Sequence, residues 1–137
     1  MVIMSVDYGD TRTGVAVCDK LEMLASPVTV ITEKSAEALS KKIAELAKER
    51  KAEKLILGLP KNMDGSEGFR AEACREFSEI LKTDSGLTVE FQDERLTTVS
   101  AHNILNATNT RGQKRKQIVD AVSAVIILED YLRKTNR

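Results

Sequence analysis

Residues 2–8, Val-Ile-Met-Ser-Val-Asp-Tyr, form a nearly continuous apolar run. That pattern predicts a central strand buried on both faces. Gly9 to Gly14 carry turn chemistry, and Val15 to Cys18 follow as a second short strand, so the pair reads as a hairpin. A third run, Ala25 to Ile31, tolerates Pro27 only near its beginning or on a sheet edge. Ser35 can cap a helix in which Leu39, Ile43, Leu46 and Ala47 recur at helical spacing. Leu55 to Leu59 form a buried strand stopped by Pro60, and residues 61–66 supply a loop able to admit a phosphate. Ala73, Cys74, Phe77, Ile80 and Leu81 define the buried stripe of a second helix, and a fifth strand spans residues 87–92. Thr97 or Thr98 can cap a short helix carrying Ala101, Ile104 and Leu105 inward. A long helix then covers roughly residues 113–133, apolar on most of its circumference beyond Ile118. The order β-β-β-α-β-α-β-α-α predicts an α/β fold. Three antiparallel strands followed by βαβ crossovers give one five-stranded mixed sheet flanked by helices.

Composition narrows this picture without changing it. The 137 residues suit a single domain spanning residues 1–137. With 42% hydrophobic and 31% charged residues, disorder is excluded. The longest apolar stretch, Ala121 to Leu128, is far short of the ~20 residues needed to span a bilayer, so no membrane partner is expected. The first residues run straight into the strand pattern, and a cytoplasmic location is expected. Cys18 and Cys74 lack metal-ligand spacing and read as small buried thiols in a reducing compartment.

Three carboxylates sit where packing alone explains them poorly. Asp7 ends the most buried strand just before a glycine turn, where it needs a cation or several donors; a turn carboxylate accepting backbone N–H bonds is the alternative. Glu94 follows the fifth strand in the run Asp93-Glu94-Arg95, at the edge where α/β proteins place ligands. Strand alternation groups Asp93 with Val89 and Phe91, and Glu94 with Glu90 and Gln92, but does not choose between the two acids. Asp120 shares a helix face with Ala124, Ile127 and Tyr131. Three carboxylates on one rim cannot all ionise without a cation. With no His or Cys beside them, Mg²⁺ or Mn²⁺ is the matching ion. A pair of such ions about 3.5–4 Å apart can activate water and stabilise a leaving oxygen, so the chemistry is phosphodiester hydrolysis.

These residues also resemble a known family. Asp7-Tyr8-Gly9 with Arg12 to Ala16, Gly58-Leu59-Pro60 with Asn62 and Gly65, Asp93 to Thr98, and Asp120 followed by Ala124 and Leu128 resemble the motifs of the YqgF/RuvX family, in the same order and over nearly the whole chain. The resemblance implies an RNase H-like fold and an endonuclease that matures the 5′ end of the 16S rRNA precursor, with Holliday junction cleavage as the alternative. It also implies Asp7, Glu94 and Asp120 as catalytic and metal-binding carboxylates, choosing Glu94 over Asp93 by analogy. Ser123 departs from the family, which more often has a small apolar residue there. The better-known resolvases of this fold carry their second acid after the fourth strand, where this chain has Gly58-Leu59-Pro60.

Arg111, Lys114, Arg115 and Lys116 crowd in just before Asp120, although cations oppose the dipole at a helix start. Phosphate contact accounts for them. With Gly9, Arg12, Asn62 and Arg95 from the motifs, they form the expected substrate-binding set, for structured RNA or branched DNA. Formal net charge is zero, from 21 basic and 21 acidic residues. Residues 111–137 nevertheless carry a net +4 and residues 1–110 a net −4. The few aromatics, Tyr8, Phe69, Phe77, Phe91 and Tyr131, read mostly as core, with no base stacking evident. An actin-like or sugar-kinase phosphate turn is a rival for the first hairpin, but those proteins close two such domains around the nucleotide. A non-catalytic RNA-binding or assembly module is a further alternative. A monomer or weak homodimer is expected.

Overall fold

The first apolar run becomes β1(Ile3–Asp7), in which Ile3, Met4, Ser5 and Val6 are all buried. A computed structural model describes residues 1–60, 68–93 and 112–135, the stretch 112–121 as helical backbone only. Around β1 stand β2(Arg12–Cys18), β3(Ala25–Thr32), β4(Lys54–Leu59) and β5(Thr88–Asp93), with helices α1(Ala36–Glu49), α2(Phe69–Ser85) and α3(Gly112–Thr135). The sheet order is β3-β2-β1-β4-β5. β1 and β3 pair antiparallel with β2, whereas β1–β4 and β4–β5 are parallel. The expected mixed sheet is thus the observed one. The expected short helix after β5 and the loop after β4 lie outside the described residues.

Local signals explain most elements. The Ser35 hydroxyl accepts the Ala38 N–H at 3.3 Å and caps α1. Gly86, with φ 69°, closes α2 and returns its N–H to the Lys82 carbonyl. Pro27 lies near the start of the edge strand β3, where a missing donor costs least, and the β2–β3 register shifts between Val15 and Ala16. The first turn is tighter than expected. β2 begins at Arg12 and places Gly14 opposite Asp7 in the ladder, because Thr13 is buried and its hydroxyl accepts the Gly9 N–H.

Each sheet face carries its own core. Met4, Val6, Val15, Leu55, Leu57 and Val89 pack against α1 and α2. Ile3, Ala16, Cys18 and Ile56 pack against α3 through Ala124, Ile127, Leu128 and Leu132. Both cysteines are buried free thiols. The α2 stripe is rotated from the expected one. Ala71, Cys74, Phe77, Ser78 and Leu81 are buried, while Ala73 and Ile80 are only half-buried, since α2 packs against α1 as well as the sheet. Ser78 is tolerated there because its hydroxyl donates to the Arg75 carbonyl at 2.6 Å. Among the described residues, no helix is long and apolar enough to cross a membrane.

Two polar contacts fix how far α3 slides along the sheet. The Ser5 hydroxyl donates to the Ala124 carbonyl at 2.6 Å inside the core. Near the helix end, Tyr131 donates to Glu90 at 2.6 Å and accepts from Lys54 at 3.0 Å, while Lys54 and Glu90 pair at 2.7 Å. These bonds hold the Glu90 carboxyl below its ordinary pKa of 4.5, chiefly through Lys54. Its stabilising contribution is therefore present above that value and is lost as pH falls through the lowered one. Because Glu90 is 43% exposed, solvent screening limits the contribution. Tyr131→Phe is expected to cost about 1 kcal/mol in urea denaturation at neutral pH. Glu90→Gln is expected to flatten the loss of stability below about pH 4.5, read from urea midpoints across the acid range.

Candidate functional site

β1, β4 and β5 run parallel and end at one edge of the sheet, at Asp7, Leu59 and Asp93. α2 starts at this edge, as the contact of Arg70 with Tyr8 demonstrates. Ligands in α/β folds collect at such an edge, most of all where strand order reverses, and β1 is that strand here.

Side-chain alternation decides which face each acid occupies. Ile3 and Ser5 meet α3, whereas Met4 and Val6 join the core under α1 and α2. Asp7, next in the odd series and half-buried, takes the α3 face. On β5, Glu90 reaches Tyr131 of α3, while Val89 and Phe91 pack under α1 and α2. Asp93 therefore shares the parity of Val89 and Phe91, opposite to that of Asp7.

The axial register places one further position. Ser5 is level with Ala124. From Ser5 to Asp7 a strand advances roughly 6.6 Å, and four residues back from Ala124 a helix travels about 6 Å in the same direction. Backbone position 120 thus comes level with Asp7, on the helix face that holds Ala124 and Ile127 against the sheet. The side chain of Asp120 lies outside the described residues, as do those of Lys114, Arg115 and Lys116. Glu94, Arg95, Asn62 and Arg111 lie outside them altogether. Among the described residues, no three His, Cys, Asp or Glu side chains form a metal-holding group.

Of the expected substrate-binding residues, Gly9 and Arg12 are described. The Gly9 N–H points inward to Thr13 Oγ1 at 3.3 Å, and a Cβ at Gly9 would run into the Arg12 carbonyl oxygen. This close approach accounts for the glycine without a ligand. Arg12 is half-buried at the start of β2. Gly58 is buried inside β4 opposite Gln92, so it belongs to the sheet and not to a phosphate turn. The end of β4 carries no acid.

Contacts from α2 to the Asp7 turn were not legible in the sequence. The Tyr8 ring stacks flat on Phe77 with centroids 4.3 Å apart, and burial pushes the Tyr8 phenol above its ordinary pKa. Arg70 donates to the Tyr8 carbonyl at 3.1 Å and pairs with Asp10 at 2.6 Å. Of the aromatics expected to be mostly core, Phe77 and Tyr131 are buried, Tyr8 and Phe91 pack half-buried against the core, and Phe69 is the exception, 81% exposed at the first position of α2. One signal was available: five residues before Cys74, Phe69 sits about 140° around the helix from the buried stripe.

The family model described as "RuvX: Holliday junction resolvase" matches residues 1–134. The chain belongs to the RuvX family. A relative in Halothermothrix orenii, named "Putative pre-16S rRNA nuclease", is 44% identical over 137 residues, covering 100% of this chain and 98% of its own. The crystal structure of the Fowlpox virus resolvase with its Holliday junction DNA superposes with a TM-score of 0.61 at 13% identity, covering 100% of both chains. Thermus thermophilus RuvC gives 0.59 at 13% identity, over 98% of this chain and 96% of that one. These two likenesses establish the RNase H-like fold of this RuvX chain, with the three antiparallel strands and the parallel pair in their expected places.

The tight first turn yields a direct check. Gly9→Ala is expected to destabilise this RuvX protein by about 1–3 kcal/mol, the cost of forcing an atom into an occupied space, read from the urea midpoint.

Proposed function

We propose that this protein is a divalent-metal-dependent endonuclease, a single RNase H-like domain that hydrolyses phosphodiester bonds in maturing the 5′ end of the 16S rRNA precursor. The observation that carries the reading is the position of Asp7, a carboxylate ending the buried central strand on the α3 face, level with position 120. The alternation that gives Glu90 to that face supports Glu94, which has the same parity as Glu90 and Gln92, over Asp93 as the second acid. The Halothermothrix orenii relative, named for nuclease action on pre-16S rRNA and identical at 44% of positions, supports the RNA substrate.

Asp7, Glu94 and Asp120 are the residues that would hold Mg²⁺ or Mn²⁺. Their donors are hard carboxylate oxygens, and both cysteines are buried in the cores, so the set at this edge fits those ions better than zinc. The bound ions supply Lewis acidity and a nucleophilic water at neutral pH. The chain's own work is to keep the three carboxylates ionised and aimed at one point. Arg111, Lys114, Arg115 and Lys116 would take the substrate backbone by its phosphates, together with Asn62, Arg95 and Arg12.

The family description favours a second substrate, the Holliday junction. Purified protein with Mn²⁺ is to be assayed on a 16S precursor fragment and on a four-way DNA junction. Cleavage of the precursor near its mature 5′ end, with slower or no junction cleavage, is the expected result; junction cleavage alone would replace the RNA reading. Asp7→Asn is expected to lose at least about 100-fold in rate while its urea midpoint stays within reach of the parent's, as when one element of charge stabilisation is removed. An Asp7→Asn protein that cleaves at the parent's rate would remove Asp7 from the chemistry.

A further inference from the structure

Two neighbouring residues open α2, Phe69 and Arg70, and the exposure of Phe69 is unexplained by folding. Phe69 is 81% exposed, forfeiting most of the stabilisation that burying such a ring contributes. Among the described residues, the other exposed large apolar side chains, Met1, Leu21, Met23 and Leu24, belong to the opposite end of the sheet, where the N-terminus meets the β2–β3 hairpin at Lys20 and Glu22. Among the described residues Phe69 is thus the exposed aromatic ring at the edge where Asp7 stands. Its neighbour Arg70 keeps one nitrogen on the Tyr8 carbonyl, one residue from Asp7, and the other on Asp10.

We propose that Phe69 and Arg70 form a seat for one unpaired nucleotide of the substrate. The base stacks on the Phe69 ring, and the adjoining phosphate takes the place of Asp10 on Arg70. The proposal rests on the nuclease reading and deepens it, because it selects substrates with an unpaired residue beside the scissile region. The chemistry fits each half. Every base offers a face to an aromatic ring, so such a platform binds without regard to sequence. A guanidinium N–H donates to a carboxylate oxygen or a phosphate oxygen alike. Asp10 is 84% exposed and the Arg70 side chain 42% exposed, so their pairing is open to exchange. The bond to the Tyr8 carbonyl keeps the guanidinium aimed while Asp10 lets go. A fixed phosphate at this point also lies one turn of chain from Asp7, so occupancy of the seat positions the backbone for the carboxylates.

The test measures binding in chelator and cleavage separately in Mn²⁺, on the full chain, with a fluorescein-labelled single-stranded oligoribonucleotide and a blunt RNA duplex as probes. Phe69→Ala is expected to weaken single-strand binding roughly 5- to 150-fold, the range for loss of one stacked base, and to leave duplex binding and the salt slope unchanged. Arg70→Gln is expected to lower the slope of log K against log salt by about 0.7, and Asp10→Asn to tighten single-strand binding by freeing Arg70. The chain has no tryptophan, so Phe69→Trp installs a sole indole. Its emission is expected to be quenched by the single strand and not by the duplex. Phe69→Ala binding as the parent does, with Phe69→Trp emission unmoved at saturation, would overturn the seat while parental binding and cleavage leave the nuclease reading standing. A parent that neither binds nor cleaves either nucleic acid would overturn both.

Discussion

Everything in this molecule is arranged around the complete burial of β1. A strand with Ile3, Met4, Ser5 and Val6 all inaccessible needs neighbours on both edges and cover on both faces. β2 and β4 satisfy its backbone, α1 and α2 cover one face, and α3 covers the other. The even-numbered side chains must then be apolar for the α1/α2 core, and Ser5 survives on the odd face only because it bonds the Ala124 carbonyl. That same bond sets the height of α3. Where the burial stops, at Asp7, the chain turns at once, so the carboxylate is delivered to the edge by the strand that can least move.

A site built on this strand is rigid before any ligand arrives. Tyr8 is clamped against Phe77, and its carbonyl is held by Arg70. At the far end of α3, Lys54, Glu90 and Tyr131 lock the helix against β4 and β5. The locks fix position 120 at one height against Asp7. Three ionised carboxylates about 5 Å apart would repel by roughly 3 kcal/mol per pair at an effective dielectric constant near 20. Sheet and helix packing must supply that energy, or a divalent cation must offset it, and the second is the function proposed. The balanced net charge divides unevenly along the chain: residues 1–110 carry a net −4 and include Asp7 and Glu94, and residues 111–137 carry a net +4 and include Asp120.

Much of the fold was legible because its causes are local. The unbroken run of β1, the cap at Ser35, the breaker at Pro27 and the period of α1 each act within a few residues. What depended on distant contacts was not legible. Alternation alone could not separate Asp93 from Glu94, because choosing needs the knowledge that α3 lies on the face of Ser5 and Glu90, and those bonds join residues 119 and 41 positions apart. The first turn was drawn too long because Thr13 resembles a turn residue until its burial is known. The aromatics read mostly as core, and Phe69 is the exposed exception at the start of α2. Gly9 belongs to the substrate-binding set expected from the motifs, yet the Arg12 carbonyl already fills the space a side chain would need.

The central claim is that Asp7 gathers Glu94 and Asp120 around divalent metal. Crystals soaked in Mn²⁺ and measured for anomalous scattering test it most directly. The expected result is one or two peaks at the C-terminal edge of β1, with oxygens of Asp7, Glu94 and Asp120 at roughly 2.0–2.3 Å. Saturating Mn²⁺ with no peak beside Asp7, or with Asp93 in the place of Glu94, would contradict the proposed carboxylate set.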